Sequence, residues 1–250
     1  MKSILRTVTP FLSVAILSIG LAAQTASARY DSDIQTQVTR QLAKKPEFRN
    51  LQATTEDGIV TLSGSVNLYQ QKLDAAKKVR KLDKVQGVRN LVAVGSTVPD
   101  AELTAKLARQ LYYDRIGYDN LFNFVDVSVN SGVATLSGET RTDVGRDSAV
   151  SLVNRTPGVK DVVDNIKVSP VSSFDDRIRL SAVRAIYHDP ILGRYASDPA
   201  KPIRIVVDNG KLTLYGTVEN AMDKQVAGIR AGQVFGAFKV QNNLEVVKGS

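Results

Sequence analysis

Few residues in this chain could do covalent chemistry. It has one histidine, His188, and no cysteine. His188 and Asp189 adjoin in the stretch IYHDP, and a Ser-His-Asp hydrolase needs only one histidine. Neighbours at a helix end point in different directions, however, and a triad is defined by geometry. Nothing in the chain resembles a nucleophile elbow. His188 therefore reads as a polar residue at a helix C-terminus that Pro190 stops. Metal binding would fall to carboxylates, which are scattered rather than spaced as in an EF-hand or a zinc site. The expectation is no catalytic residue, no metal, no cofactor and no enzyme.

Two groups of side chains suit binding instead. On a helix predicted over Leu68 to Val85, Lys77, Lys81 and Lys84 follow i, i+4, i+7, with Lys78 and Arg80 beside them and Leu73, Ala76 and Val79 opposite. Such a face fits an anionic membrane surface, or it is an ordinary solvated helix face. The second group is aromatic. Tyr112, Tyr113, Tyr118, Phe122 and Phe124 cluster in one loop region, and Tyr187 and Tyr195 fall in the matching loop later on. Tyrosines suit a half-wet contact with lipid or a partner protein; packing beneath the loop is the other reading.

The elements that position these groups repeat three times. DGIVTLSG (Asp57 to Gly64) returns as SGVATLSG (Ser131 to Gly138) and NGKLTLYG (Asn209 to Gly216). Around the turn glycines Gly58, Gly132 and Gly210, apolar residues alternate on both sides, which predicts a β-hairpin. Six residues on, Gly64, Gly138 and Gly216 share the buried face. A glycine there implies close approach by another element, expected to be a crossing helix, or a bulge ending the strand. Before each hairpin lies a helix pattern: Ile34, Val38, Leu42; Leu103, Leu107, Leu111; Ile178, Ala182, Ile186. Acidic residues open each helix (Asp31 and Asp33, Asp100 and Glu102, Asp175 and Asp176), in keeping with the helix dipole. A second helix follows each hairpin, over Leu68 to Val85, Thr142 to Arg155 and Ala221 to Val234. A last β-segment follows Gly87, Gly158 and Gly236. Gly228, Gly232 and Gly236 recur every fourth residue, which predicts a short or irregular helix in the third copy. The Thr/Ser-rich outer face of the second strand is free to stay wet or to pack on a neighbouring unit. The fold expected is α+β, with three tandem two-layer sandwiches, each α-β-β-α-β.

Residues 1–28 read as a cleaved signal peptide. Lys2 and Arg6 precede the apolar run Phe11 to Ala23, and Ala26-Ser27-Ala28 supplies the small-residue cleavage pattern. The domains are then 29–95, 100–169 and 174–248. Without cysteine an exported chain has no disulfides, so each core must hold itself. The sequence is basic, with a formal charge of +8 and pI ≈ 9.6. An exported basic protein favours anionic phospholipid or another envelope polymer, or acidic envelope proteins, over nucleic acid.

An exported chain of tandem α-β-β-α-β units, each with [DSN]-G-x-[VAL]-T-L-x-G and a later glycine-led strand such as Gly158-Val159, resembles the BON domain (bacterial OsmY and nodulation). The resemblance covers nearly all of the chain after the signal segment. The third copy departs from it, with Gly236-Ala237 in place of Gly-Val. It implies an envelope module that binds phospholipid surfaces or supports the envelope under stress, with osmotically inducible members that are periplasmic and chaperone-like. It carries no catalytic residue set. The function expected is therefore a non-enzymatic exported protein binding anionic phospholipid surfaces; the alternative is a periplasmic chaperone or adaptor that meets protein partners through aromatic loops and sheet faces.

Overall fold

A computed structural model of the chain describes residues 30–95, 97–113, 120–169, 171–197 and 202–247. The predicted signal segment and Tyr118 lie outside them. The first repeat runs α1 (Asp31–Ala43), β1 (Leu51–Glu56), β2 (Ile59–Val66), α2 (Tyr69–Arg80), β3 (Gly87–Asn90) and β4 (Ala93–Val94). The second runs α3 (Asp100–Tyr113), β5 (Phe124–Asn130), β6 (Val133–Thr140), α4 (Asp143–Asn154) and β7 (Asp161–Val168). The third runs α5 (Ser173–Tyr187), the single turn α6 (Arg194–Ser197), β8 (Arg204–Asp208), β9 (Lys211–Tyr215), β10 (Thr217–Val218), α7 (Ala221–Gly232), β11 (Lys239–Asn242) and β12 (Glu245–Val246). In each repeat the hairpin's second strand is central. Its antiparallel partner precedes it, and a parallel strand returns on its other side after the second helix. A parallel return needs such a crossover. Residues 30–66 and 71–93, most of the first repeat, form one compact unit; residues 67–70 and those from 94 onward, with the second and third repeats, form another.

The helix stripes are buried as their spacing requires. Ile34 and Val38, Leu103 and Leu107, and Ala182 and Ile186 are wholly inaccessible, packed over strand residues such as Val60 and Leu62, Ala134 and Leu136, or Leu212 and Leu214. The hairpins turn through two residues with positive φ: Asp57 and Gly58 at 51° and 75°, Ser131 and Gly132 at 54° and 81°, Asn209 and Gly210 at 49° and 74°. This is the type I′ geometry that matches the twist of the strands. Both turn amides then point out of the hairpin, and an aspartate from the start of the first helix accepts them. Asp31 takes Asp57 N and Gly58 N at 2.9 and 2.8 Å; Asp100 takes Ser131 N and Gly132 N at 2.6 and 2.9 Å; Asp175 takes Asn209 N and Gly210 N at 3.0 and 2.8 Å. These acids do more than complement a helix dipole. They bolt the helix to the turn.

Three expectations need correction. No helix crosses Gly64, Gly138 or Gly216. Each has a φ of 100° or more, and a Cβ there would lie 2.1 Å from Asn50 O, 2.2 Å from Phe124 O or 2.8 Å from Pro202 O. The close neighbour is the backbone entering the paired strand. The second helix of the third repeat is neither short nor irregular; α7 has 12 residues, the length of α2 and α4. Gly228 lets Asn242 approach, whose Nδ2 donates to Lys224 O at 2.7 Å. That bond recurs as Asn90 Nδ2 to Lys72 O, 2.9 Å. Finally, α2 ends at Arg80, five residues before the predicted end.

The outer sheet face of the third repeat is covered. Strand β8 does not alternate: Arg204, Ile205, Val206 and Val207 are all buried, and so is Thr213 on β9. The cover comes from the second repeat. Arg204 donates to Asn123 O and Tyr112 O, both at 3.1 Å, with its guanidinium 5.0 Å from the Tyr112 ring. The Phe124 and Tyr215 rings stack at 4.0 Å, and Phe122 packs against the third core. Arg141 pairs with Asp176 at 3.0 Å, and Lys167 with Asp208. Neighbour packing thus holds inside this unit.

Asp175→Ala should destabilise the shared unit by about 3 kcal/mol, because it strips two turn amides of a charged acceptor that is wholly buried. Urea unfolding checks this, and a loss below about 1 kcal/mol would remove the aspartate bolt from the account. Arg204→Ala should cost about 2 kcal/mol by leaving buried carbonyls without their donor. The same measurement should find Lys211→Ala, on the exposed side of β9, close to neutral.

Candidate functional site

The basic group of the first repeat sits where α2 stops. Ala75, Ala76 and Val79 are buried against the sheet, which leaves Lys77, Lys78 and Arg80 exposed in the last helical turn. Lys81 follows in a tightened turn, its amide donating to Lys78 O at 3.3 Å, and is also exposed. Lys84 leaves the row. It takes a φ of 63°, so that two residues on the Gln86 amide reaches Gly58 O at 2.9 Å, and its Nζ lies 3.9 Å over the Tyr30 ring. The expected i, i+4, i+7 face is therefore shorter than its spacing implies, because the chain must reverse to start β3. The remaining cations gain a neighbour that the spacing does not show. Lys45, from the segment after α1, joins Lys77, Lys78 and Lys81 around an open concavity of ≈ 390 Å³ floored by Phe48. Glu47 stands 4.0 Å from Lys45. Asp74 also lines the concavity, and none of these charged side chains is a buried donor that would select one small molecule.

Tyr112, Tyr187 and Tyr195 are placed inward. Tyr112 belongs to the contact between the second and third repeats. Tyr113 ends α3. Tyr187 donates its hydroxyl to Ile203 O at 2.6 Å, and burial pushes its phenol well above the ordinary value. Tyr195 is 4% exposed and donates to Asp223, which Arg194 also holds, while its oxygen accepts Glu219 N at 2.8 Å. Tyr195 thus offers no open contact; it pins the long loop to the start of α7. These rings bind their own chain because the longer loops of the later repeats need cores of their own.

His188 is the exposed C-cap of α5. Asp189 turns away from it and accepts Arg230 Nε at 2.7 Å and Ile191 N at 2.8 Å. Arg230 holds that carboxyl below the ordinary value. The pair closes a loop and forms no dyad. Among the described residues there is no group of three or more His, Asp or Glu side chains that could hold a metal ion, and no helix long and apolar enough to cross a membrane.

A different exposed group went unread in the sequence. Phe235 and Phe238, in the loop after α7, are 96% and 80% exposed. The signal was available by alignment of the repeats. The Phe238 amide donates to Gly210 O as Gln86 does to Gly58 O and Lys160 to Gly132 O, each at 2.9 Å. Phe235 and Phe238 therefore occupy the positions of Asp83 and Gln86, and of Pro157 and Lys160.

Known proteins include both relatives in sequence and similar structures. The chain is 22% identical over 143 residues to an uncharacterized protein in the gshII 5′ region of Anaplasma centrale, covering 55% of this chain and 94% of that one. Among solved structures it is similar to CdsD, a structural protein of the type III secretion system of Chlamydia trachomatis, at 14% identity and a TM-score of 0.25, covering 87% of this chain and 94% of that one. The periplasmic domain of the type III secretion inner-membrane protein PrgH from S. typhimurium is similar at 11% identity and a TM-score of 0.20, covering 83% and 99%. Likenesses this low carry no argument about function. The model of the BON domain matches residues 30–96, 99–170 and 191–248, the last match beginning after α5. Three matches spanning most of the chain, on three copies of one helix–hairpin–helix–strand frame, make this a member of the BON domain family.

Proposed function

We propose that this is an exported, non-enzymatic envelope protein that binds anionic phospholipid surfaces and thereby supports the envelope under stress. The observation that carries the reading is the cluster of Lys77, Lys78, Arg80 and Lys81, all exposed at the end of α2 and joined by Lys45. Cations within reach of an anionic leaflet each contribute about 1 kcal/mol, and the attraction decays within a Debye length. The cluster lies at a helix C-terminus, where cations also complement the dipole, so its stability cost is low. The uneven charge of the chain agrees. Between Arg29 and Pro99, 12 Lys/Arg stand against 7 Asp/Glu, whereas the segment from Asp100 to Pro170 is net acidic.

Co-sedimentation of the chain from Arg29 onward with phosphatidylglycerol-containing vesicles, and with phosphatidylcholine vesicles, tests this. Binding to the anionic vesicles alone, lost as salt is raised, is the expected outcome. Lys77→Ala/Lys81→Ala should weaken it roughly 30-fold at low salt, the equivalent of two surface cations. Absence of binding to both vesicle types would sink the lipid reading and move the search to protein partners and client aggregation assays.

A further inference from the structure

The third repeat exposes two phenylalanines at positions where its sister repeats expose polar residues or proline. All three loops have the same frame. A residue with positive φ (Lys84, Gly158 or Gly236) turns the chain, and two residues later an amide closes onto the hairpin's turn glycine. On that frame the first repeat places Asp83 and Gln86, the second Pro157 and Lys160, and the third Phe235 and Phe238. The packing of the repeat does not need the third pair outside. Val234, beside them, already fills the core.

The tip is firm. Phe238 is held through its amide by Gly210 O at 2.9 Å, and its ring stacks on Phe174 with centroids 5.8 Å apart. Gly236 lies against Ile178 and Phe174. The Phe238 ring, held in this way, loses little freedom when it is covered. The charge around the tip has one sign. Lys239 follows Phe238, Lys211 pairs with Lys239 across the strands, and Arg177 stands three residues beyond Phe174 on α5; all three are exposed. The nearby acids are engaged internally: Asp175 by the turn amides, Asp176 by Arg141 and Arg179, Asp208 by Lys167.

We propose that Phe235 and Phe238 form a bilayer-insertion tip, entering the headgroup–acyl boundary of an anionic membrane while Arg177, Lys211 and Lys239 lie at the level of the phosphates. This rests on the lipid-surface reading and gives it a second contact of a different kind. Apolar rings flanked by cations are what an interfacial anchor requires, and rings this exposed gain by leaving water. A soluble protein partner would have to supply both an apolar pocket and three compensating acids. An anionic leaflet supplies both as a continuum.

The chain contains no tryptophan, so Phe235→Trp in the full chain gives a single fluorescent reporter. With phosphatidylglycerol-containing vesicles its emission should shift to the blue and be quenched when the acyl chains are brominated. Pro157→Trp, at the matching place in the second repeat, should stay unquenched. Phe235→Ser should weaken vesicle co-sedimentation about tenfold without moving the melting temperature, since the ring packs on little of its own chain. If the unaltered chain co-sediments but the Phe235→Trp emission does not change, the insertion tip is wrong and the surface reading stands. If the unaltered chain does not co-sediment, both fall.

Discussion

A carboxylate that accepts two adjacent backbone amides sets the frame of every repeat. A type I′ turn is the natural join between twisted strands, but it leaves two N–H groups pointing outward with no strand partner. Asp31, Asp100 and Asp175 take both. Each comes from the first turn of a helix, where a negative charge is favoured in any case. One side chain therefore satisfies the turn, caps the helix field and settles where the helix crosses the sheet. Three residues further along lies the first core residue, Ile34, Leu103 or Ile178, and the rest of the apolar stripe follows onto the hairpin. The bond is most buried in the third repeat, where Asp175 is wholly inaccessible.

A second tie closes the frame from the other end. Asn90 and Asn242 reach back from the last strand to a carbonyl of the second helix. At the matching place in the second repeat Asp164 meets Arg146 instead, at 3.3 Å. With both helices secured on one face, the outer face and the loops can change without disturbing the core. The third repeat uses that freedom twice. Its outer face is buried beneath the second repeat through Arg204, and its last loop turns two aromatic rings to solvent.

The periodic parts of this frame were legible in the sequence because each obeys a local rule. Spacing of four marks the helix stripes, alternation marks the strands, and Asp-Gly, Ser-Gly and Asn-Gly mark the turns. The aspartate bolts were visible as acids but not as bolts. Their distance from the turn changes with the loop, and only the three-residue offset to the first core position stays constant. The glycines six residues past each turn were legible as close approaches, yet the visitor was not, since a backbone carbonyl across a hairpin leaves no side-chain signature. The spacing of Lys77, Lys81 and Lys84 assumed a helix that continues, whereas closing the loop on Gly58 requires it to stop. Of the two readings open for the tyrosines, surface contact or packing beneath the loop, Tyr112, Tyr187 and Tyr195 follow the second. A loop's length does not say whether it lies over solvent or over its own core.

Function in such a chain is best sought where the repeats differ, because what they share is already spent on folding. The turn glycines, the aspartates and the helix stripes recur and have structural partners within their own repeat. The basic cluster at the end of α2 and the aromatic tip after α7 do not recur, and neither is needed to fill a core. They would act on a surface through different physics. Charge attraction reaches across a Debye length and is screened by salt, whereas burial of a ring needs contact and survives salt. Joined on one chain, the first raises the encounter rate and the second slows release, so two weak contacts gain from being tethered. A frame that leaves its surface positions free, copied three times and then altered at separate places, is a physically economical way to build such a binder.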